Sequence, residues 1–247
     1  MAKKKIKTVV PEECVDGVCR FPVATSETPD QVTPAQNMAD ITWRIFRIMA
    51  EFVEGFQFLS TSSREVTVFG SARLPEDDHW YQEVVRLTHL LGQAGFSIIT
   101  GGGPGIMEAA NRGAYEAGAP SLGINIQLPM EQRINPYVTR SKAFHYFFTR
   151  KVMLTASGQA YVYCPGGFGT LDEFFEVITL IQTKKMSPVP VVLLGHEFWD
   201  GLLSWIKEEC VERFQTIAPE DMELFRVVDT AEEAFAIIKH SKERTIF

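Results

Sequence analysis

Ala160-Tyr161-Val162-Tyr163-Cys164-Pro165-Gly166-Gly167-Phe168-Gly169-Thr170-Leu171-Asp172-Glu173 is the stretch on which the reading of the whole chain turns. Its first five residues form an apolar run, and beyond it Leu171, Phe174, Phe175, Ile178 and Ile181 follow a helical pattern. The order is therefore strand, glycine-rich turn, helix N-terminus. The glycines at 166, 167 and 169 leave backbone N–H groups free to point at a ligand, and the dipole of the following helix favours an anion. Asp172 and Glu173 are expected in the first helical turn, where a bound phosphate gains nothing from them. The turn reads as a holder for a nucleotide phosphate, with a carboxylate left to work on the sugar.

Working outward, the same alternation repeats. After Ser60-Thr61-Ser62-Ser63, strands are expected at 65–69, 96–100, 121–126, 160–164, 189–194 and 224–228. Helices are expected at about 79–94, 104–117, 149–157, 170–184, 198–213 and 230–240. Strand runs such as Val66-Thr67-Val68-Phe69 and Val189-Pro190-Val191-Val192-Leu193-Leu194 are apolar rather than alternating in polarity, which marks strands covered on both faces. The fold class that follows is α/β, a doubly wound, mostly parallel, Rossmann-like sheet with helices on both faces. Its strand-to-helix loops gather at one edge, where such sheets bind ligands.

Two segments precede or interrupt this pattern. Residues 1–34 are polar with few apolar positions and read as a mobile tail. Within 35–60, Met38, Ile41, Ile45, Ile48, Met49, Phe52 and Phe56 predict an amphipathic helix over roughly 36–59, suited to packing on a sheet face or on a partner subunit. Residues 61–247 are then the nucleotide-binding catalytic domain. Residues 127–148 read as one long loop starting at the ligand edge, and long loops in compact domains are often functional.

Bulk properties narrow the function classes. The 247 residues carry a formal net charge of −7, which argues against a nucleic-acid-coating surface. No apolar run approaches the ~20 residues a membrane-spanning helix requires, so no membrane partner is expected. The lysines at 3–5 are followed by no apolar segment of the kind a secretion signal has, and the expected location is cytoplasmic, with reduced thiols. Cys164 and Cys210 read as buried thiols, while Cys14 and Cys19, close together in the tail, are free to pair or to bind a metal; no His or Cys cluster stands beside them, and no metal site is expected.

Three glycine-bearing turns follow strands: Gly70-Ser71-Ala72-Arg73, Gly101-Gly102-Gly103-Pro104-Gly105, and the central one. The second fails as a dinucleotide fingerprint, because its sixth position is Ile106 and the next strand ends in Ile126-Gln127 with no acid. No Gly-Lys-Ser/Thr follows either loop, so the ATP-type phosphate loop is excluded as well. Two glycine-rich loops suit one mononucleotide, with Gly102 and Gly103 of the second loop as candidate binding residues. Thr170-Leu171-Asp172-Glu173 also fits a capping box, in which Glu173 merely ties down helix amides, and Asp172 then simply complements the dipole. Arg150-Lys151 opens a helix against its dipole, as a site pair or as plain surface charge. His145 sits among Phe144, Tyr146, Phe147 and Phe148, an aromatic cluster read as core packing ahead of base stacking.

Together, Gly101-Gly102-Gly103-Pro104-Gly105-Ile106-Met107-Glu108-Ala109 and the Pro-Gly-Gly-x-Gly-Thr stretch at 165–170 resemble the Lonely Guy (LOG) family, long labelled "possible lysine decarboxylase". The resemblance runs from about Glu65 to the C-terminus. It implies a homo-oligomer, dimer or larger, that hydrolyses the N-glycosidic bond of a nucleoside 5′-monophosphate, AMP-like or a cytokinin riboside monophosphate, to free base and ribose 5-phosphate. It also implies Arg150 and Glu173 as the catalytic pair, and Glu131, Lys151, Gly166, Gly167, Phe168, Gly169, Thr170 and Asp172 as substrate-binding residues. The chain departs from plant-like members in having Phe147-Phe148-Thr149 before Arg150-Lys151, and Asp172-Glu173 in place of a Glu pair. No cofactor is expected, since no lysine lies in an evident buried context for a pyridoxal phosphate Schiff base. The alternative class is a nucleotide-binding or carrier protein on the same fold without hydrolysis.

Overall fold

The structure, a computed structural model, describes residues 13–15, 18–20, 34–127 and 134–241. It divides into two compact units, Met1–Phe46 and Arg47–Phe247. In the first, strands β1 (Glu13–Val15) and β2 (Val18–Arg20) pair antiparallel with Cys14 opposite Cys19. This hairpin lies in the segment read as a tail, most of which falls outside the described residues. The first unit also holds the start of helix α1 (Pro34–Leu59), which begins two residues before its expected start.

The second unit is built on a seven-stranded sheet, parallel throughout. Its strands are β3 (Glu65–Phe69), β4 (Ser97–Thr100), β5 (Ser121–Ile126), β6 (Arg140–Phe144), β7 (Ala160–Tyr163), β8 (Val191–Leu194) and β9 (Arg226–Val228), in the order β6-β5-β4-β3-β7-β8-β9. The α-helices between them are α2 (His79–Gln93), α3 (Ile106–Glu116), α4 (Phe147–Ala156), α5 (Phe168–Gln182) and α6 (His196–Trp205), and α7 (Ala231–Ile238) follows β9. From β3 the chain steps outward through β4, β5 and β6, then returns to place β7 on the other side of β3. The connections after β3 and β7 therefore diverge, and the crevice between those two strand ends is where such a sheet takes a ligand.

Every residue of β3, β4, β5, β7 and β8 is buried, as the continuous apolar runs require. The pleat still sorts side chains by face. Val66 and Val68 join Tyr81, Leu87, Ile106, Ala110 and Ile238 under α2, α3 and α7. Phe69, Tyr161 and Tyr163 join Leu59, Phe144, Met153, Phe174 and Trp199 under α4, α5, α6 and the end of α1. Phe52 and Phe56 of α1 pack against this second core, whereas Met49 and Val53 remain exposed.

The segment 127–148, expected to be one loop, contains β6, which pairs in parallel with β5 from Leu122–Arg140 to Ile126–Phe144. Only Phe144 of β6 is buried, and Arg140 and Lys142 give it the polarity of a guarded sheet edge. Its sequence therefore lacks the apolar signature of its neighbours. The helix expected over 198–213 is α6 followed by a π-helical stretch over Ile206–Arg213.

Candidate active site

The central stretch forms β7, a tight turn and α5, with Gly167 at the N-cap and no side chain capping it. The opening amides of α5 thus keep the open character of any helix start. A Cβ on Gly166 would lie 2.1 Å from the Thr170 hydroxyl, so that position admits no side chain while Thr170 is tucked beneath the turn. Because α5 starts at Phe168, its first turn holds no acid, and Asp172 and Glu173 fall in the second turn. This corrects the sequence expectation of first-turn carboxylates, and it removes the capping box, since Thr170 is the third residue of the helix rather than its cap. Phe168 stands 93% exposed at the tip of the turn.

Glu173 points inward from α5, is buried, and its Oε2 has no hydrogen-bond partner. Tyr163 of β7 donates its hydroxyl to the Glu173 backbone carbonyl at 3.1 Å, fixing the helix above the strand. Burial pushes the Glu173 carboxyl up to about 8; Lys151 and Arg150 draw it down, while Glu176 and Asp172 push it further up. A buried carboxyl with one unpartnered oxygen and a proton affinity near neutrality is suited to general acid–base work.

Both cations come from α4. Arg150 donates from Nε to the Ile124 carbonyl at 2.9 Å, and its Nη2 lies 2.5 Å from where a Cβ on Gly101 would stand. Its guanidinium therefore lies across the end of β5 and the start of the Gly101 loop. Burial lowers its proton affinity, and the charge of Glu173 opposes that shift. Lys151 pairs with Asp172 at 2.6 Å and with Glu176 at 3.5 Å. Burial alone would lower the Lys151 ammonium, yet the Asp172 hydrogen bond and the charges of Glu173 and Glu176 raise it.

The three glycine-bearing turns are bolted together at this edge. Ser71 N–H donates to the Pro165 carbonyl at 3.0 Å, and Ile106 N–H donates to the Ser71 carbonyl at 2.9 Å. Gly102 has φ of +72°, and a Cβ there would meet Asn125 Nδ2 at 2.5 Å, so glycine is required on both counts. Its amide already donates to Thr100 Oγ1 at 2.8 Å and its carbonyl accepts from Asn135 N–H at 2.9 Å. Asn135 Nδ2 donates to the Gly103 carbonyl at 3.0 Å. Gly102 and Gly103 are thus pinned by a buried polar network rather than standing open.

Asn111 is the hub of that network. It is fully buried, accepts from Thr100 Oγ1 at 2.6 Å and from Asn135 Nδ2 at 2.9 Å, and donates to Ser121 Oγ at 2.8 Å. Replacing Asn111 with Leu should cost about 2–5 kcal/mol, because several partners lose their bonds at once without water to replace it; urea unfolding checks this.

Sequence reading missed three participants. Glu176 lies one turn beyond Glu173, and its spacing from Asp172 and Glu173 was the available signal. Thr155 donates to Glu176 at 3.3 Å from the facing helix. Asn125 has an Oδ1 that is buried without a partner and lies beside the Gly102 turn. Glu131 lies outside the described residues. The aromatic cluster at 144–148 is not the core packing expected of it: Phe144 is buried, but Phe147 and Phe148 are exposed. Among the described residues, no group of three His, Cys, Asp or Glu side chains could hold a metal ion, and no helix is long and apolar enough to cross a membrane.

A family model described as "Possible lysine decarboxylase" matches residues 107–238. A cytokinin riboside 5′-monophosphate phosphoribohydrolase of Rhodococcoides fascians is 27% identical over 158 residues, covering 63% of this chain and 80% of that protein. One of the same name from Arabidopsis thaliana is 27% identical over 184 residues, covering 73% and 84%. Among solved structures, the molybdenum cofactor carrier protein of Chlamydomonas reinhardtii superposes with a TM-score of 0.53 at 23% identity, covering 72% of this chain and 96% of the other. The molybdenum cofactor binding protein of Rippkaea orientalis gives 0.50 at 21% identity, covering 71% and 93%. At these identities the two structures share the fold.

Proposed function

This chain belongs to the Lonely Guy family, the one described as possible lysine decarboxylase, and from that premise we propose that it hydrolyses the N-glycosidic bond of a nucleoside 5′-monophosphate. The observation that carries the proposal is Glu173, a buried acid with one unpartnered oxygen beside two cations and an uncapped helix N-terminus. The names of the relatives in Rhodococcoides fascians and Arabidopsis thaliana support the same reaction.

In this reading the 5′-phosphate rests on the amides of Gly167, Phe168, Gly169 and Thr170, where the helix dipole favours it. Gly166 allows the turn to close, and the Gly102–Gly103 loop walls the other side. Arg150 turns its free guanidinium nitrogens to the phosphate or the ribose hydroxyls. As the ribose–base bond breaks, positive charge develops on the sugar ring, and the Glu173 carboxylate stabilises it. Glu173 takes a proton from water while the water oxygen bonds to the anomeric carbon; the base departs with the bonding electrons and gains a proton from solvent. Nucleotide and water thus become free base and ribose 5-phosphate. Lys151 holds Asp172 and Glu176 away from the reacting centre and keeps Glu173 from losing its ionised form altogether. Phe168, exposed at the tip of the turn, covers the bound nucleotide in this reading.

Lysine decarboxylation through pyridoxal phosphate finds no support in these residues. That chemistry wants a lysine whose amine is readily neutral, and Lys151 is shifted the opposite way by Asp172, Glu173 and Glu176. The reading further takes residues 61–247 as the catalytic domain, 35–60 as a packing helix and the chain as cytoplasmic; that it is a homo-oligomer is supported by the exposed apolar residues Met49, Val53, Phe147 and Phe148.

Incubation with a panel of nucleoside 5′-monophosphates, followed by chromatography for free base, tests the proposal. Base should appear from at least one monophosphate and not from the corresponding unphosphorylated nucleoside. Absence of base from every monophosphate, with nucleotide still bound, would favour the carrier alternative.

A further inference from the structure

Glu51 is a buried acid that the reaction does not use. It lies on α1, outside the segment matched by the family model, and is 9% exposed. Its carboxylate accepts hydrogen bonds from His145 N–H at 2.6 Å, from Tyr146 N–H at 3.4 Å and from the buried Thr149 hydroxyl at 2.5 Å. These donors sit at the start of α4, whose N-cap, Tyr146, supplies no side-chain cap of its own. A carboxylate from a helix nearly a hundred residues away thus acts as an external cap on the entry to α4. It holds the amides of the two residues before the helix and the hydroxyl of its third residue, rather than the first-turn amides that a local cap takes.

The electrostatic setting explains why an acid stands there. Arg150 lies in the first turn of α4 and Lys151 directly follows, with no acid in that turn. Two cations at the positive end of a helix dipole oppose one another and the dipole; an anion at the same end offsets both. The neighbouring contacts fix where that anion sits. Gly55, one turn further along α1, lies so close to α4 that a Cβ would meet Met153 Sδ at 2.5 Å and Phe144 at 3.1 Å. Glu54 forms an ion pair with Lys142 of β6.

We propose that Glu51 is a positioning residue: by capping α4 from outside, it sets where Arg150 and Lys151 stand relative to Glu173. The inference rests on the reading of Arg150, Lys151 and Glu173 as the working site. Loss of the cap lets the start of α4 retreat from α5, so it acts on the site through the two cations rather than by touching substrate.

Three variants test it: Glu51→Ala, Glu51→Gln, and Glu54→Gln, which breaks a neighbouring ion pair without touching the cap. All are assayed well below their measured melting temperatures. Glu51→Ala should lower kcat about tenfold to a hundredfold, the scale on which small misplacements act. Its rate should also rise with pH later than in the wild type. The groups around Glu173 are Arg150 and Lys151 on α4, Asp172 and Glu176 on α5, and Tyr163 on β7; withdrawal of the two cations leaves the acids unopposed. Glu51→Gln, which keeps one oxygen in place, should recover part of the rate, and Glu54→Gln should match the wild type. A Glu51→Ala enzyme with an unmoved pH profile and a rate loss explained by its unfolded fraction would overturn the proposal. Nucleotide affinity by calorimetry separates this inference from the hydrolase reading. If the wild type binds a nucleoside 5′-monophosphate of the panel and releases base from none, the hydrolase reading falls alone. Glu51→Ala must then still bind that nucleotide more weakly than Glu54→Gln, and equal affinities overturn the positioning role. A wild-type chain that neither binds nor cleaves any monophosphate of the panel overturns both.

Discussion

Exchange of Glu173 for Gln is expected to slow base release by about 10²- to 10⁴-fold, the range for losing a positioned general base, while making the folded protein more stable at pH 8. The two effects have one origin. Gln keeps the shape of the side chain but can neither accept the proton of the attacking water nor carry charge opposite the developing cation. Stability follows from the raised proton affinity: the folded state holds the Glu173 proton up to about pH 8, while the unfolded chain gives it up near 4.5. Between those limits the folded state binds more protons, so this group's contribution to stability falls as pH rises. Below pH 4.5 Glu and Gln are both uncharged and the variants should melt alike. The advantage of Gln should grow from there and level off above about pH 8. In the wild type, kcat should rise over the same upper range as the carboxylate forms. Thermal melts and rates across pH check both halves. A Gln variant that is fully active, or less stable at pH 8, would sink the assignment.

How much of this was open to sequence reading depends on the distance over which each signal acts. The strand runs at 65–69 and 121–126 coincide with β3 and β5 because burial on both faces leaves an unbroken apolar record. The strand–turn–helix order at 160–182 was legible for the same reason, with glycines marking the turn. The helix start was not. Thr170 looks like a cap, but the chain enters α5 two residues earlier because Gly166 lets the turn close over that side chain. An edge strand with Arg140 and Lys142 on it carries a loop-like composition, so β6 was hidden. Glu51 shows the limit most clearly. In sequence it is one acid on an amphipathic helix; its partners at 145–149 become neighbours only when α1 and α4 pack on the same sheet face. The Asn111 network is similar, since Thr100, Ser121 and Asn135 meet only in the folded chain.

The second large effect is expected at Arg150. Its Nε is committed to the Ile124 carbonyl, which aims the rest of the guanidinium along the Gly101 loop. A lysine placed there has one nitrogen, and it cannot both hold that carbonyl and offer a fork of donors to a phosphate or diol. Arg150→Ala should therefore reduce kcat/KM by about 10²- to 10³-fold, as for loss of a preorganised donor. Arg150→Lys should recover only a small part of this although it keeps the charge. The two variants differ at Glu173. Arg150 lowers the proton affinity of that carboxyl, so removing the charge should move the rise of rate with pH upward, whereas Lys should leave it near its wild-type position. Lost rate and shifted profile thus report separate contributions, geometry and charge. If Arg150→Lys restores full kcat/KM, charge alone suffices and the fork geometry is irrelevant. If Arg150→Ala leaves the profile unmoved while the rate falls, the arginine acts on substrate without tuning the acid beside it. An unmoved profile with an unchanged rate would remove Arg150 from the site.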